Sequence, residues 1–472
     1  MRNEPAAGLT WIKRAGLLAM AALAALGAAW GAFAAGLPRE AAFMAGLFVL
    51  AALLWSTEPL PLFATSLLVI GLQIVLLANP GGWSGLGFER APSPGFRELL
   101  HAAADPVLVL FFGGLLMAQA AVKEGVDRSM SALLLKPFGT RPAAVLAGVM
   151  AVTACFSMFM SNTATASMML AIVAPMLAAL PREEPFRRAL VLGVAFAANI
   201  GGMGTPIGSP PNAVALGYLR AAGEAPAFLE WMLIAVPLAA ACLAIAWGLL
   251  WWRHRPRDAS LRLRAEGAPV GARGWFVVAV FAVTVLLWLT DRWHGLPPSV
   301  VALLPAVALT ATRTLTAEDL NRIDWSVLLL IAGGISLGAG LTRSGLDHVV
   351  AGWLPTGGVG FGGLVALMVL AALALSTFMS NTAAANLLLP IGLSAATAMG
   401  AGARDVAIGI ALAASLAMAL PVSTPPNALA YSRGALAVRD MALPGLLVGL
   451  AGAALVALLA GPLARFWSGL LG

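Results

Sequence analysis

Two short polar motifs occur twice in an otherwise apolar chain. FMSNTA stands at 159–164 and again at 378–383, and SPPNA at 209–213 returns as TPPNA at 424–428. The first pair gathers hydroxyl and amide groups: Ser157, Ser161, Asn162 and Thr163 in one half, Ser376, Ser380, Asn381 and Thr382 in the other. In the second pair, two prolines lack amide hydrogens and clash with the preceding turn, so a helix unwinds there and frees carbonyls on one side while a new helix starts on the other. Freed carbonyls with Ser, Thr and Asn oxygens suit a hard, weakly held monovalent cation, and helix N-termini suit an anion. No Arg, Lys, Asp or Glu lies between 142 and 180, 189 and 219, or 406 and 432. An anion held there has no side-chain counter-charge, and bound cations are the natural compensation for its desolvation. A proton relay needs ionisable groups within the membrane, so the motifs favour sodium coupling over proton coupling.

The elements that must carry these groups follow from length and charge. Each FMSNTA block sits in the middle of a charge-free apolar segment, 142–180 or 358–398. One helix of about 40 residues would measure ~60 Å, twice the hydrocarbon thickness. Each segment is therefore expected to fold back at Ser-Asn-Thr as a re-entrant hairpin, its bend facing protein or a water-filled cavity.

A chain of 472 residues that is 60% apolar and 10% charged cannot coat a water-soluble globule. It reads as an all-α polytopic membrane protein with about eleven transmembrane helices plus the two hairpins. The spans fall at 15–35, 42–56, 61–78, 105–122, 187–200, 228–252, 274–290, 298–312, 325–342, 404–419 and 443–466.

The motifs belong to a larger duplication. Gly113-Gly114 with Gly125-Val126-Asp127 returns as Gly333-Gly334 with Gly345-Leu346-Asp347, an offset of 220, against 219 for FMSNTA and 215 for the PPN blocks. About five crossings separate equivalent points, an odd number, so the repeats are inverted. The expected organisation is a first helix with the N-terminus (1–40), repeat 1 (41–252), a basic loop (253–273) and repeat 2 (274–472).

With the N-terminus cytoplasmic, Arg2, Lys13 and Arg14 lie inside, together with Arg253, Arg255, Arg257, Arg262, Arg264 and Arg273. The outer loop 79–103 carries only Arg90 and Arg97. The positive-inside rule thus supports a multi-pass protein of the inner (plasma) membrane, surrounded by lipid. The formal charge of +7 is spread over short loops, a pattern of membrane orientation and not of nucleic-acid binding. The first apolar run exceeds a usual signal-peptide core. Cys155 and Cys242 lack metal or redox spacing and are expected to be buried thiols.

Paired SNT motifs, each followed by a PPN loop, together with Trp55-x-Thr57-Glu58-x-Leu60-Pro61, resemble the divalent anion/sodium symporter family of di- and tricarboxylate transporters. The likeness runs from about residue 40 to the C-terminus. It implies an elevator-type homodimer, each protomer divided into scaffold and transport domains. It implies one sodium ion near Ser157, Ser161, Asn162 and Gly208, and another near Ser376, Asn381 and Ser423. It also implies substrate carboxylates at Asn162, Thr163, Ser209, Asn381, Thr382, Thr424 and Pro425. The second half departs from the first, with AMALPVS where the first has GGMGTPIG.

The expected function is sodium-coupled uptake of a C4-dicarboxylate such as succinate or malate. The alternatives are a sodium-independent dicarboxylate exchanger of the same fold and a carrier of citrate or sulfate. An enzyme would need an acid, base or nucleophile pair within the membrane, which the sequence does not offer. Gly334-Ile335-Ser336-Leu337-Gly338 fits the GxSxG pattern of a serine nucleophile, but within an all-helical span it reads as close packing by small residues. The four histidines lack ligand spacing and read as solvated or interfacial. Glu58 and Asp291 read as markers of span ends.

Overall fold

The computed structural model describes residues 7–83, 95–257, 269–352 and 360–471, which are helical with connecting turns and contain no strand. Arg2, Arg90, Arg262, Arg264 and the first two residues of the 358–398 segment lie outside the described residues. Among those described, nine helices are long and apolar enough to cross a membrane. Seven of them cover expected spans, and the other two, Asn162–Ala179 and Phe361–Phe378, belong to the hairpin segments. Two expected spans are shorter apolar helices, Leu62–Ala78 and Pro298–Ala311. The remaining two are Phe186–Gly201 and Arg404–Ala414, each ending where the PPN approach begins. The second stops short of the expected 404–419. Its chain unwinds from Ser415, and the Met418 carbonyl lies where a side chain on Gly445 of the last helix would otherwise stand.

After the first helix, Ala7–Ala34, the same order of elements is laid down twice. Arg39–Thr57, Leu62–Gln73, Phe96–Ala103, Pro106–Lys123 and Val126–Leu135 precede the first FMSNTA segment. Ala272–Leu289, Pro298–Ala311, Ala317–Asn321, Trp325–Ser344 and Leu346–Gly352 precede the second. Local chemistry repeats with the order. The Trp55 indole donates to the Leu62 carbonyl (3.3 Å) and Trp288 to that of Pro298 (2.9 Å), each tying a helix to its successor. Glu58 takes a left-handed conformation (φ 47°) and ends its helix, while Asp291 begins a short turn of helix.

The halves are interleaved. Leu62–Gln73 of the first packs on Trp325–Ser344 of the second, and Pro298–Ala311 packs on Pro106–Lys123. The duplicated glycine pair permits both approaches: a side chain on Gly113 would meet the Ala302 carbonyl at 2.6 Å, and one on Gly333 would overlap Ser66. Two ion pairs fasten the same seam. Lys123 at the end of one helix meets Asp319 (2.6 Å), and Arg343 at the end of its counterpart meets Glu98. Lys123, with the Thr316 cap, holds the Asp319 carboxyl down at about 2.

Two expectations fail locally. Cys155 is exposed, on the outer face of its helix, while Cys242 is buried. His254 is buried instead of solvated. Burial and the nearby cations Arg253 and Arg188 push its imidazole down to about 4.

Candidate functional site: two tips and two broken helices

Both FMSNTA segments bend at the motif. The first is Pro142–Ser157, a turn, then Asn162–Ala179; the second is Phe361–Phe378, Met379-Ser380, then Asn381–Ala398. Serine explains the restart, because an N-cap serine accepts from a free amide of the first turn. Ser161 does so from the Ala164 amide at 3.2 Å. The PPN helices Pro210–Ala221 and Pro425–Ser432 start on proline, whose missing N–H leaves nothing unsatisfied at the first position. Each polar motif therefore opens a helix.

The first tip gathers oxygens. Ser157 Oγ lies 2.6 Å from the Ala198 carbonyl and 2.7 Å from the side-chain amide of Asn162. As placed, Asn162 Oδ1 faces only acceptors. Two arrangements relieve that repulsion. The amide can turn over, so that its nitrogen donates to Ser157 Oγ at 2.7 Å and to the carbonyls of Ala198 and Gly208, both at 3.2 Å. Alternatively, a cation can sit among those four oxygens, a donor set of the hard, neutral kind that suits sodium. Glycine is required here: a side chain on Gly208 would stand 2.7 Å from the Gly202 carbonyl and 2.9 Å from that of Met158. Ser157, Asn162 and Gly208 are thus brought together. Ser161 does not join them; its hydroxyl is committed to the cap and is exposed.

The second tip lacks the serine–amide bond. Ser376 Oγ and Asn381 Oδ1 are buried with no hydrogen-bond partner. Ser423 donates to the Thr377 carbonyl (2.9 Å), which brings it to the same bend. Buried oxygens without donors are costly, and a cation would satisfy them.

The PPN helices cross between halves. Pro425–Ser432 packs on Asn162–Ala179 and Phe186–Gly201 of the first half, and Pro210–Ala221 on Asn381–Ala398 and Arg404–Ala414 of the second. Asn199 donates to Thr424 Oγ1 and Asn427 Oδ1, both at 3.1 Å, and Ser415 donates to Ser209 at 3.3 Å. One polar path therefore runs from tip to tip through Ser157, Ala198, Asn199, Thr424, Ser423 and Thr377. Of the expected anion contacts, Ser209, Thr382 and Thr424 are buried, Asn162 and Asn381 are half-buried, and Thr163 and Pro425 are exposed.

The loops also correct the expectation of freely available carbonyls. Asn212 donates to those of Gly202 and Thr205, both at 2.8 Å, and Asn427 to that of Leu420 at 3.0 Å. Asn199, Asn212 and Asn427 are the residues that sequence reasoning missed. The last two stand inside the quoted PPN motif, and Asn199 is the single amide in an apolar helix beside it.

The citrate-transporter family model matches residues 52–407 and 285–470. The chain belongs to this citrate-transporter family, of the divalent anion/sodium symporter type. Within it, the chain is 32% identical over 437 residues to an uncharacterised transporter of Haemophilus influenzae, covering 88% of this chain and 90% of that one. It is 29% identical over 457 residues to the sodium-dependent dicarboxylate transporter SdcS of Staphylococcus saprophyticus, covering 86% and 83%. An uncharacterised transporter of Schizosaccharomyces pombe is 31% identical over 399 residues; the match covers 82% of this chain but 45% of that longer protein. The fold is similar to the crystal structure of the Alcanivorax borkumensis YdaH transporter, with a TM-score of 0.52, 15% identity, and coverage of 88% of this chain and 98% of that one. The chain is thus a multi-pass membrane transporter, without strands among its described residues.

Proposed function

We propose that the protein is a secondary active transporter that couples sodium entry to uptake of a C4-dicarboxylate such as succinate or malate. In this reading it works as a homodimer in the plasma membrane, with its N-terminus cytoplasmic, by an elevator movement of a transport domain. Ser157, Asn162 and Gly208 hold one sodium ion, and Ser376, Asn381 and Ser423 a second. Thr163, Ser209, Thr382, Thr424 and Pro425 meet the carboxylates, together with the amides of Asn162 and Asn381.

The observation that carries this reading is the meeting of the Asn162 side-chain amide with the oxygens of Ser157, Ala198 and Gly208 in a charge-free centre. That cluster can hold a cation when the Asn162 oxygen faces it, and an anion beside it, with no basic side chain, needs the cation's charge. The relatives named as sodium-dependent dicarboxylate transporters support the choice of ions. Anion affinity should then depend on sodium by reciprocal linkage.

Purified protein in proteoliposomes, given radiolabelled succinate, should accumulate it under an inward sodium gradient and not in choline. Succinate binding should be more than about tenfold tighter in sodium, roughly 1.4 kcal/mol. Equal uptake in choline, driven by internal dicarboxylate, would replace the symporter with an exchanger. A parallel arm with citrate decides the substrate class, and preference for citrate would overturn the C4 assignment.

A further inference from the structure

The Thr424 hydroxyl sits at the end of a chain of hydrogen bonds whose direction is set at the other end. The Leu420 carbonyl can only accept, so Asn427 must turn its Nδ2 toward it (3.0 Å). This leaves Asn427 Oδ1 facing Asn199, which must answer with its own Nδ2 (3.1 Å). The second hydrogen of that nitrogen goes to Thr424 Oγ1, again at 3.1 Å. Thr424 Oγ1 also accepts from the Asn427 backbone amide at 3.4 Å. A hydroxyl has two lone pairs and one hydrogen. Both lone pairs of Thr424 are taken, and only its hydrogen is left to offer.

The preceding residue has the opposite polarity. Ser423 spends its hydrogen on the Thr377 carbonyl (2.9 Å) and keeps its lone pairs. Two adjacent hydroxyls therefore present different faces: Ser423 can only accept further partners, as a cation requires, and Thr424 can only donate, as a carboxylate requires. The counterpart of Asn199 in the second half is Ser415, 3.3 Å from Ser209 of the first. A pair of hydroxyls can reverse its direction, so Ser209 is not fixed in this way.

We infer that Asn199 is the positioning residue of the anion site: from within the first half it locks Thr424 of the second half as an obligate hydrogen-bond donor to a substrate carboxylate, and so separates anion from cation at neighbouring residues. The inference rests on the proposed substrate role of Thr424. Asn199 is fully buried, so it acts through Thr424 and not by touching substrate.

Succinate uptake by reconstituted Asn199→Leu, which keeps the branched shape and removes the donor, should show KM raised about fivefold or more, the scale of one misdirected hydrogen bond, with sodium half-saturation within about twofold of wild type. Thr424→Val should raise KM likewise, Thr424→Ser should stay near wild type, and adding Asn199→Leu to Thr424→Val should have no further effect. Asn199→Ala carries the same test if the leucine variant fails to insert. A lowered maximal rate with unchanged KM in Asn199 variants, or effects that multiply in the double variant, would leave Asn199 a packing residue and overturn the inference. A wild-type KM in Thr424→Val removes the substrate role of Thr424 itself, whereas a raised KM there beside an unchanged one in Asn199→Leu removes only the role of Asn199.

Discussion

An asparagine side chain is the smallest group that can show an oxygen to a cation and a nitrogen to an anion at once. Asn162 occupies such a position, with one end of its side-chain amide toward Ser157, Ala198 and Gly208 and its residue half-buried at a helix start. Replacing it by aspartate keeps an oxygen for the cation and removes the donor. Asn162→Asp should therefore leave sodium half-saturation unchanged or lower it, while raising the KM for succinate by more than about tenfold, the cost of a like-charge contact in place of a charge-assisted hydrogen bond. Uptake measured over a sodium series and a succinate series checks both. A variant that loses sodium dependence but keeps its succinate KM would contradict the dual role. The residue types at this site were legible from SNT alone. Their polarity was not, because the direction of a hydroxyl or an amide depends on partners such as Leu420 and Ala198 that only the folded chain supplies.

Helix breaks were the most legible elements. A charge-free run twice the thickness of a bilayer has to turn somewhere, and the serines at 161 and 380, each just before a helix start, say where, although only Ser161 makes the cap bond. The stop at Ala414 was harder to foresee, since 415–419 is as apolar as the helix before it. Pro421 bars the helix from running on to the PPN motif, and the missing side chain of Gly445 leaves room for the Met418 carbonyl of the unwound stretch. The Gly-Ile-Ser-Leu-Gly stretch is likewise explained by packing. The Tyr218 hydroxyl donates to the Gly334 carbonyl at 2.9 Å, a side chain on Gly338 would overlap the Tyr218 ring, and Ser336 donates to Gln73 at 2.8 Å. Gly338→Ala should then destabilise the purified protein by about 1–3 kcal/mol through overpacking. Gly352→Ala, with open space around it, should cost only a fraction of that. Thermal unfolding in detergent compares the two, and equal melting temperatures would refute the packing assignment.

At the scale of the whole molecule, the two tips are linked through a chain of residues shared by both halves. Hydrogen bonds join them through Asn199, Thr424 and Ser423. Outward, tip one rests on Phe281 through Phe159, ring centres 5.4 Å apart. Tip two meets Ser56 through the Met379 sulfur at 3.7 Å. In the proposed elevator movement such ring and thioether contacts would slide, and the hydrogen bond from Asn386 to the Leu330 carbonyl (3.2 Å) would have to exchange. The left-handed glycines Gly125 (φ 66°) and Gly345 (φ 70°), each between a long helix and a short one, are where the moving block would hinge. Spin labels at Ser161 and Phe378, both exposed, should keep a constant separation as sodium and succinate are added. The distance from either to a label at Val283 should change. A shifting tip-to-tip distance with a constant distance to Val283 would rule out the elevator.

The crossing of the PPN helices also bears on how the chain is made. Asn199 and its partner Thr424 are 225 residues apart, so the first half reaches the bilayer long before its hydrogen-bond partners exist. At roughly 5–20 residues per second of synthesis, the delay is about 10–45 s. During that time the amide of Asn199 has no Thr424 or Asn427 to bond, and an unsatisfied amide in hydrocarbon is costly. The newly inserted first half must therefore wait with its broken helix in contact with water or the insertion machinery, and the transport site closes only when the last fifth of the protein arrives.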